Sequence, residues 1–167
     1  IDVERVIIYT DVDGIYNCDP KSYHFAKRID SLSYDDAEKM AFMGAKVLFP
    51  KTLRHIKDKR IPLVVRSIHG KGESLVWKNE TLQRKPLALF VNRTTRSEES
   101  LFEIKVLFST EIEIQKKEKK ELLKKTENAL NTKISWFEQK ERVLSIELKS
   151  LDEDKLKSFW DILEDSQ

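Results

Sequence analysis

From Arg5 to Thr10 the apolar positions run without a break, Val6-Ile7-Ile8-Tyr9, short and β-branched, as in a strand buried on both faces of a parallel sheet. Asp13-Gly14 ends that run with a turn. After a loop through Asp19-Pro20, Ser33 followed by Asp36 has the form of a helix N-cap with an acidic third position. Tyr34, Ala37, Met40 and Ala41 then keep helical spacing, and the helix should stop near Gly44. Pro50 suits the first turn of a second helix, through Leu53 and Ile56 to about Lys59. Ile61 to Val65 predicts a second buried strand. Strand, helices, strand is an α/β order with right-handed crossovers as the default.

The pattern changes near Pro86. Leu87 to Val91 and Leu101 to Phe108 read as strands, the second placing Phe102, Ile104, Val106 and Phe108 on one face. A helix rich in Lys and Glu follows from about Gln115 to Leu130, with a narrow apolar stripe of Leu122, Leu123, Thr126 and Leu130. Ile134 to Glu138 and Arg142 to Lys149 predict a hairpin around Gln139-Lys140. In the last helix Ser150 and Glu153 form a capping box, and Leu156, Phe159, Trp160 and Leu163 occupy i, i+3, i+4 and i+7. The tail reads β, β, α, β, β, α, a small α+β sandwich, and the expected division is 1–85 and 86–167.

Composition narrows the function classes. The 167 residues are 40% apolar, enough for one ordinary core or two small ones. The 31 basic and 29 acidic residues nearly cancel, to +2, so nothing points to nucleic acid or a membrane surface as partner. A single cysteine, Cys18, excludes an internal disulfide framework, and no apolar run approaches a membrane span, so the cytoplasm is the expected location. His24, His55 and His69 are scattered without ligand spacing, and the basic run from Lys116 to Lys125 is interleaved with Glu118 and Glu121 as on a solvated helix face. Trp136 and Phe137 alternate on one strand, so one of them could be exposed. The chain begins at Ile1 without a methionine and enters a strand at once, and it reads as part of something longer.

Candidate chemistry lies where the first strand ends. Ligands of open α/β sheets bind at the carboxyl ends of strands, where loops diverge. There Thr10 and Asp11 can hydrogen-bond a ribose or an adenine edge, Tyr16 can lie against a base, and Lys21 can reach a phosphate as a point charge. Asp13 and Asp19 suit turn and loop formation better than metal ligation.

Residues 10–21, Thr-Asp-Val-Asp-Gly-Ile-Tyr-Asn-Cys-Asp-Pro-Lys, resemble the nucleotide-site signature of the amino acid kinase family, which uridylate and glutamate kinases share. Gly44-Ala45-Lys46-Val47-Leu48-Phe49-Pro50, with Ser33-Tyr34 and the strand from Ile61 to Ser67, resembles aspartate kinases in particular. The resemblance covers about residues 3 to 77. It implies ATP- and Mg2+-dependent phosphorylation of the side-chain carboxylate of L-aspartate to 4-phospho-L-aspartate, the first step towards lysine, threonine and methionine. It also implies an ATP site lined by Thr10, Asp11, Tyr16, Lys21, Lys46 and Val47, with the two lysines as phosphate clamps, since phosphoryl transfer asks for positioning and charge neutralisation.

The sequence departs from the family pattern at Lys21, where arginine is more frequent, and at Phe49, where histidine is usual. The Lys-x-Gly-Gly opening and the residues that hold aspartate are expected upstream of Ile1, so catalytic residues are expected outside this chain, which alone should be inactive. The tail resembles an ACT-type regulatory or dimerisation module by position and by its β-α-β-β-α order. Such a module ends in a fourth strand, and either Leu87 to Val91 or a partner chain could fill that edge. Unpaired edges predict a homo-oligomer or a partner kinase chain. Two other readings stay open: a non-catalytic regulatory or assembly subunit, and another amino acid kinase.

Overall fold

Strand β1 (Val6–Thr10) forms the parallel pair expected of it, with β5 (Leu63–Ser67), in register from Val6 opposite Leu63 to Thr10 opposite Ser67. Pro62 has no N–H to give the ladder, so β5 starts one residue after it, while the Pro62 carbonyl accepts the Val6 N–H at 2.8 Å. The computed structural model describes residues 3–77, 86–96, 99–109 and 116–165, and the chain divides into two units, Ile1–Thr81 and Leu82–Gln167.

In the first unit two-residue strands follow β1: β2 (Ile15–Tyr16) pairs antiparallel with β3 (Arg28–Ile29), and β4 (Ser31–Leu32) joins the main sheet. Helix α1 (Tyr34–Met43) begins where expected, with the Ser33 hydroxyl accepting the Asp36 N–H at 3.0 Å, and ends at Gly44 with φ 110°. Helix α2 (Pro50–Asp58) has proline in its first turn. A further strand, β6 (Glu73–Val76), turns back antiparallel on β5, giving the sheet order β1-β5-β6-β4.

One face of this sheet carries Leu63, Val65, Val76 and Leu32, each at 2% exposure or less, and α1 and α2 bury Tyr34, Ala37, Met40, Leu53 and Ile56 into the same core. The expectation that β1 is buried on both faces fails: its residues alternate, and Ile7 and Tyr9 are 37% and 57% exposed. The reason is its place in the sheet. Among the described residues β1 is an edge strand, and even its inward residues Val6 and Ile8 are only half-buried.

The second unit follows the expected element order, with β7 (Pro86–Arg96), β8 (Glu99–Phe108), α3 (Lys116–Leu130), β9 (Ile134–Lys140), β10 (Val143–Leu148) and α4 (Glu153–Asp165). Its sheet is antiparallel throughout, in the order β7-β8-β10-β9, so β7 takes the edge beside β8 that the β-α-β-β-α order leaves open. Leu89, Val106 and Leu144 lie abreast across three strands, as do Val91, Ile104 and Ile146. Leu130 of α3 and Leu156, Phe159, Trp160 and Leu163 of α4 are buried.

Two details differ from expectation. The hairpin turns at Glu141-Arg142, not at Gln139-Lys140, because Lys140 still pairs with Val143 and Glu141 takes the left-handed backbone, φ 50°. The cap of α4 is Asp152, not Ser150: its Oδ1 accepts the Lys155 N–H at 2.9 Å and its carbonyl the Leu156 N–H at 3.1 Å. The side chains of Trp136 and Phe137 lie outside the described residues. Among the described residues no helix is long and apolar enough to cross a membrane.

Candidate functional site

Thr10 closes β1, and its hydroxyl donates to Asp11 Oδ1 at 3.2 Å. The other oxygen of Asp11 receives the Lys21 ammonium, with both side chains about two-thirds exposed. Lys21 is brought there by the loop after β2. Asp19 makes an Asx turn in that loop, its Oδ1 accepting the Lys21 N–H at 3.0 Å, so it is the loop former its sequence context suggested. The second Asp19 oxygen stands 3.5 Å from Lys46 Nζ, at the far side of α1 in sequence. Thr10, Asp11, Lys21 and Lys46 thus meet around one loop at the carboxyl end of β1. Val47 follows Lys46 half-buried, ahead of the core residue Leu48. Tyr16 is turned to a different partner, donating from its hydroxyl to Asp13 Oδ1 at 2.5 Å.

The electrostatics follow from these pairs. The hydrogen bond from Lys21 holds the Asp11 carboxyl below the usual carboxylate range, and the same bond raises Lys21. The Tyr16 hydroxyl lowers Asp13, and Asp13 in turn raises the Tyr16 phenol. Ion pairs this exposed add little stability, so both lysines can exchange a carboxylate for a phosphate at small cost. Among the described residues no group of three or more His, Cys, Asp and Glu could hold a metal ion.

The amino acid kinase family model matches residues 1–67, which hold every residue of this cluster. Over this stretch the chain resembles the amino acid kinase family, and the relatives that match it are aspartokinases. Over 64 residues the chain is 42% identical to the chloroplastic bifunctional aspartokinase/homoserine dehydrogenase 2 of Arabidopsis thaliana, 38% of this chain and 7% of that protein. It is 27% identical to E. coli aspartokinase III, solved in complex with aspartate and ADP, with a TM-score of 0.50 over 90% of this chain and 32% of that one. The Clostridium acetobutylicum aspartate kinase superposes with a TM-score of 0.73 over 94% of this chain and 54% of that one, at 14% identity, which supports the fold alone. The chain therefore spans well under two-thirds of these relatives.

Within this segment, sequence reasoning missed the residues that brace the loop. Ser74 is fully buried on β6, where its Oγ accepts the Ile15 N–H at 2.8 Å and donates to the Ile29 carbonyl at 2.6 Å, tying both short strands to the main sheet. Arg28 pairs with Asp13 and Asp30 at 3.2 and 3.0 Å. No local pattern marks either one, because Ile15 and Ile29, which Ser74 joins, and Asp13, which Arg28 reaches, are distant in sequence.

Proposed function

We propose that this chain supplies the ATP site of an aspartate kinase, with Thr10 and Asp11 toward ribose and base, Tyr16 against the base, Lys21 and Lys46 on the phosphates, and Val47 beside the second lysine. The observation that carries the reading is the convergence of Lys21 and Lys46 on the Asp19 loop, where two cations from separate segments stand on exchangeable carboxylates. Two ammonium groups at the carboxyl end of a parallel strand neutralise phosphate charge without acting as acid or base. Bound Mg2+ would supply further neutralisation of the phosphates. The reaction is transfer of the ATP γ-phosphoryl group to the side-chain carboxylate of L-aspartate. The sequence contains no Lys-x-Gly-Gly string, so in this reading the aspartate-holding part and the catalytic residues lie outside these 167 residues and the chain alone is inactive.

The second unit is read as an ACT-like regulatory or dimerisation module, supported by its element order and by β7 filling the edge beside β8. The test is titration of the chain with Mg-ATP. Saturable binding that Lys46→Ala weakens about tenfold is expected, the loss of one charged contact. Absence of saturable binding, or binding indifferent to Lys46→Ala, refutes the ATP-site reading.

A further inference from the structure

We propose that Asp13, Arg28 and the glycine turn at Gly70-Lys71-Gly72 are positioning residues that fix the ring of Tyr16 for the nucleotide base. The inference rests on the ATP-site reading above.

Tyr16 and Arg28 face each other across the β2–β3 pair, and Asp13 joins them. Its Oδ1 accepts the Tyr16 hydroxyl at 2.5 Å, and its Oδ2 accepts Arg28 Nη1 at 3.2 Å. Arg28 is braced from behind by Asp30, 3.1 Å from Nε and 3.0 Å from Nη2. The tyrosine is therefore held at its hydroxyl by Asp13 and at its backbone by the strand pair that Ser74 ties down. A ring so held is ordered before any ligand arrives, and binding costs no further side-chain ordering.

The glycines give a second, independent observation. Neither Gly70 nor Gly72 takes the left-handed backbone that usually calls for glycine; among the described glycines only Gly14 and Gly44 do. What they provide is space. A Cβ on Gly72 would stand 1.7 Å from Arg28 Nη1 and 2.7 Å from Asp13 Oδ2, and one on Gly70 would stand 2.8 Å from Asp13 Cβ. The turn after β5 is thus fitted to the Asp13–Arg28 pair. The charge pattern agrees, since the shared hydrogen bond lowers the Asp13 carboxyl and raises the Tyr16 phenol.

The test uses the whole chain, titrated with Mg-ATP, while the Tyr16 ring is followed by NMR on 13C-labelled tyrosine. Tyr16→Phe keeps the ring and removes the hydrogen bond, and a loss of affinity of about fivefold is expected. Asp13→Ala should weaken ATP by a similar factor and move the Tyr16 titration to lower pH. The double variant should bind no more weakly than either single one, because both remove the same restraint. Gly72→Ala displaces the flexible end of Arg28 and presses on the Asp13 carboxylate, and a loss of two- to threefold is expected. Additive losses, or a shifted Tyr16 titration with unchanged ATP affinity, overturn the inference, as does a fall in melting temperature with no change in binding. If Lys46→Ala weakens ATP while Tyr16→Phe and Asp13→Ala do not, the positioning inference falls and the ATP site stands. If the unaltered chain binds no ATP, the ATP-site reading falls and takes this inference with it.

Discussion

Gly44 is where the structure makes its sharpest quantitative demand. It ends α1 at φ 110° and ψ 17°, with its own N–H on the Ala41 carbonyl at 3.3 Å and the Ala45 N–H on the Met40 carbonyl at 2.9 Å. These are the paired bonds of a left-handed helix stop. A Cβ placed on Gly44 meets nothing within 4 Å, so Gly44→Ala introduces no clash and its cost is wholly backbone. An L-residue held in this conformation costs about 1–2 kcal/mol. The loss of unfolded-chain freedom returns roughly 0.4–1 kcal/mol. The net is about 1 kcal/mol, roughly a fivefold rise in local opening. Hydrogen exchange at residues 44 and 45 reads this directly. Both amides should exchange about fivefold faster in Gly44→Ala, and Gly44→Asn should fall between that variant and the original, because asparagine tolerates the left-handed region. Exchange unchanged in Gly44→Ala, or slower in it than in Gly44→Asn, would refute the reasoning. Lys46 leaves the helix through this turn, so the same variant should also weaken Mg-ATP binding, though less than Lys46→Ala.

The Asp13–Tyr16 bond should protect the first unit between two pH limits. A lowered folded carboxyl contributes stability above the unfolded value, about 3.9, and loses it as pH falls through the folded one. A raised folded phenol contributes below its unfolded value, about 10, and loses that as pH rises through the folded one. The melting difference between the original chain and Asp13→Asn should therefore be flat from about pH 5 to 9 and shrink at both ends, and a difference that persists undiminished at pH 3 is the contrary result. For assembly, light scattering should show a mass above that of the monomer that falls on dilution; a concentration-independent monomer would count against a homo-oligomer.

What was legible in the sequence was local. Ser33 with Asp36, Gly44 and Pro50 each act within four residues of themselves, and the structure uses all of them as caps and stops. The Ser150 cap failed for an equally local reason: Asp152 offers the same chemistry two residues later, next to the Lys155 and Leu156 amides that need partners. The strands β2, β3, β4 and β6 were not legible, being two to four residues long and defined by partners far along the chain. For the same reason the phosphate-clamp candidates could be named from motifs, while their pairing with Asp11 and Asp19 could not.

The unbroken apolar run of β1 carries one more consequence. Four consecutive apolar residues ask for burial on two faces, and the structure buries one. In the row of Ile7, Leu75 on β6 is 38% exposed, while Val64 on β5 between it and Ile7 is buried at 5%. An edge strand that shows Ile7 and Tyr9 to solvent is poorly suited to stand in water, because its side chains and, among the described residues, its open edge both invite another element. Tyr9, 57% exposed one residue before Thr10, places that face directly beside the lysine cluster. An element laid on the exposed face of β1 would therefore border the proposed ATP site.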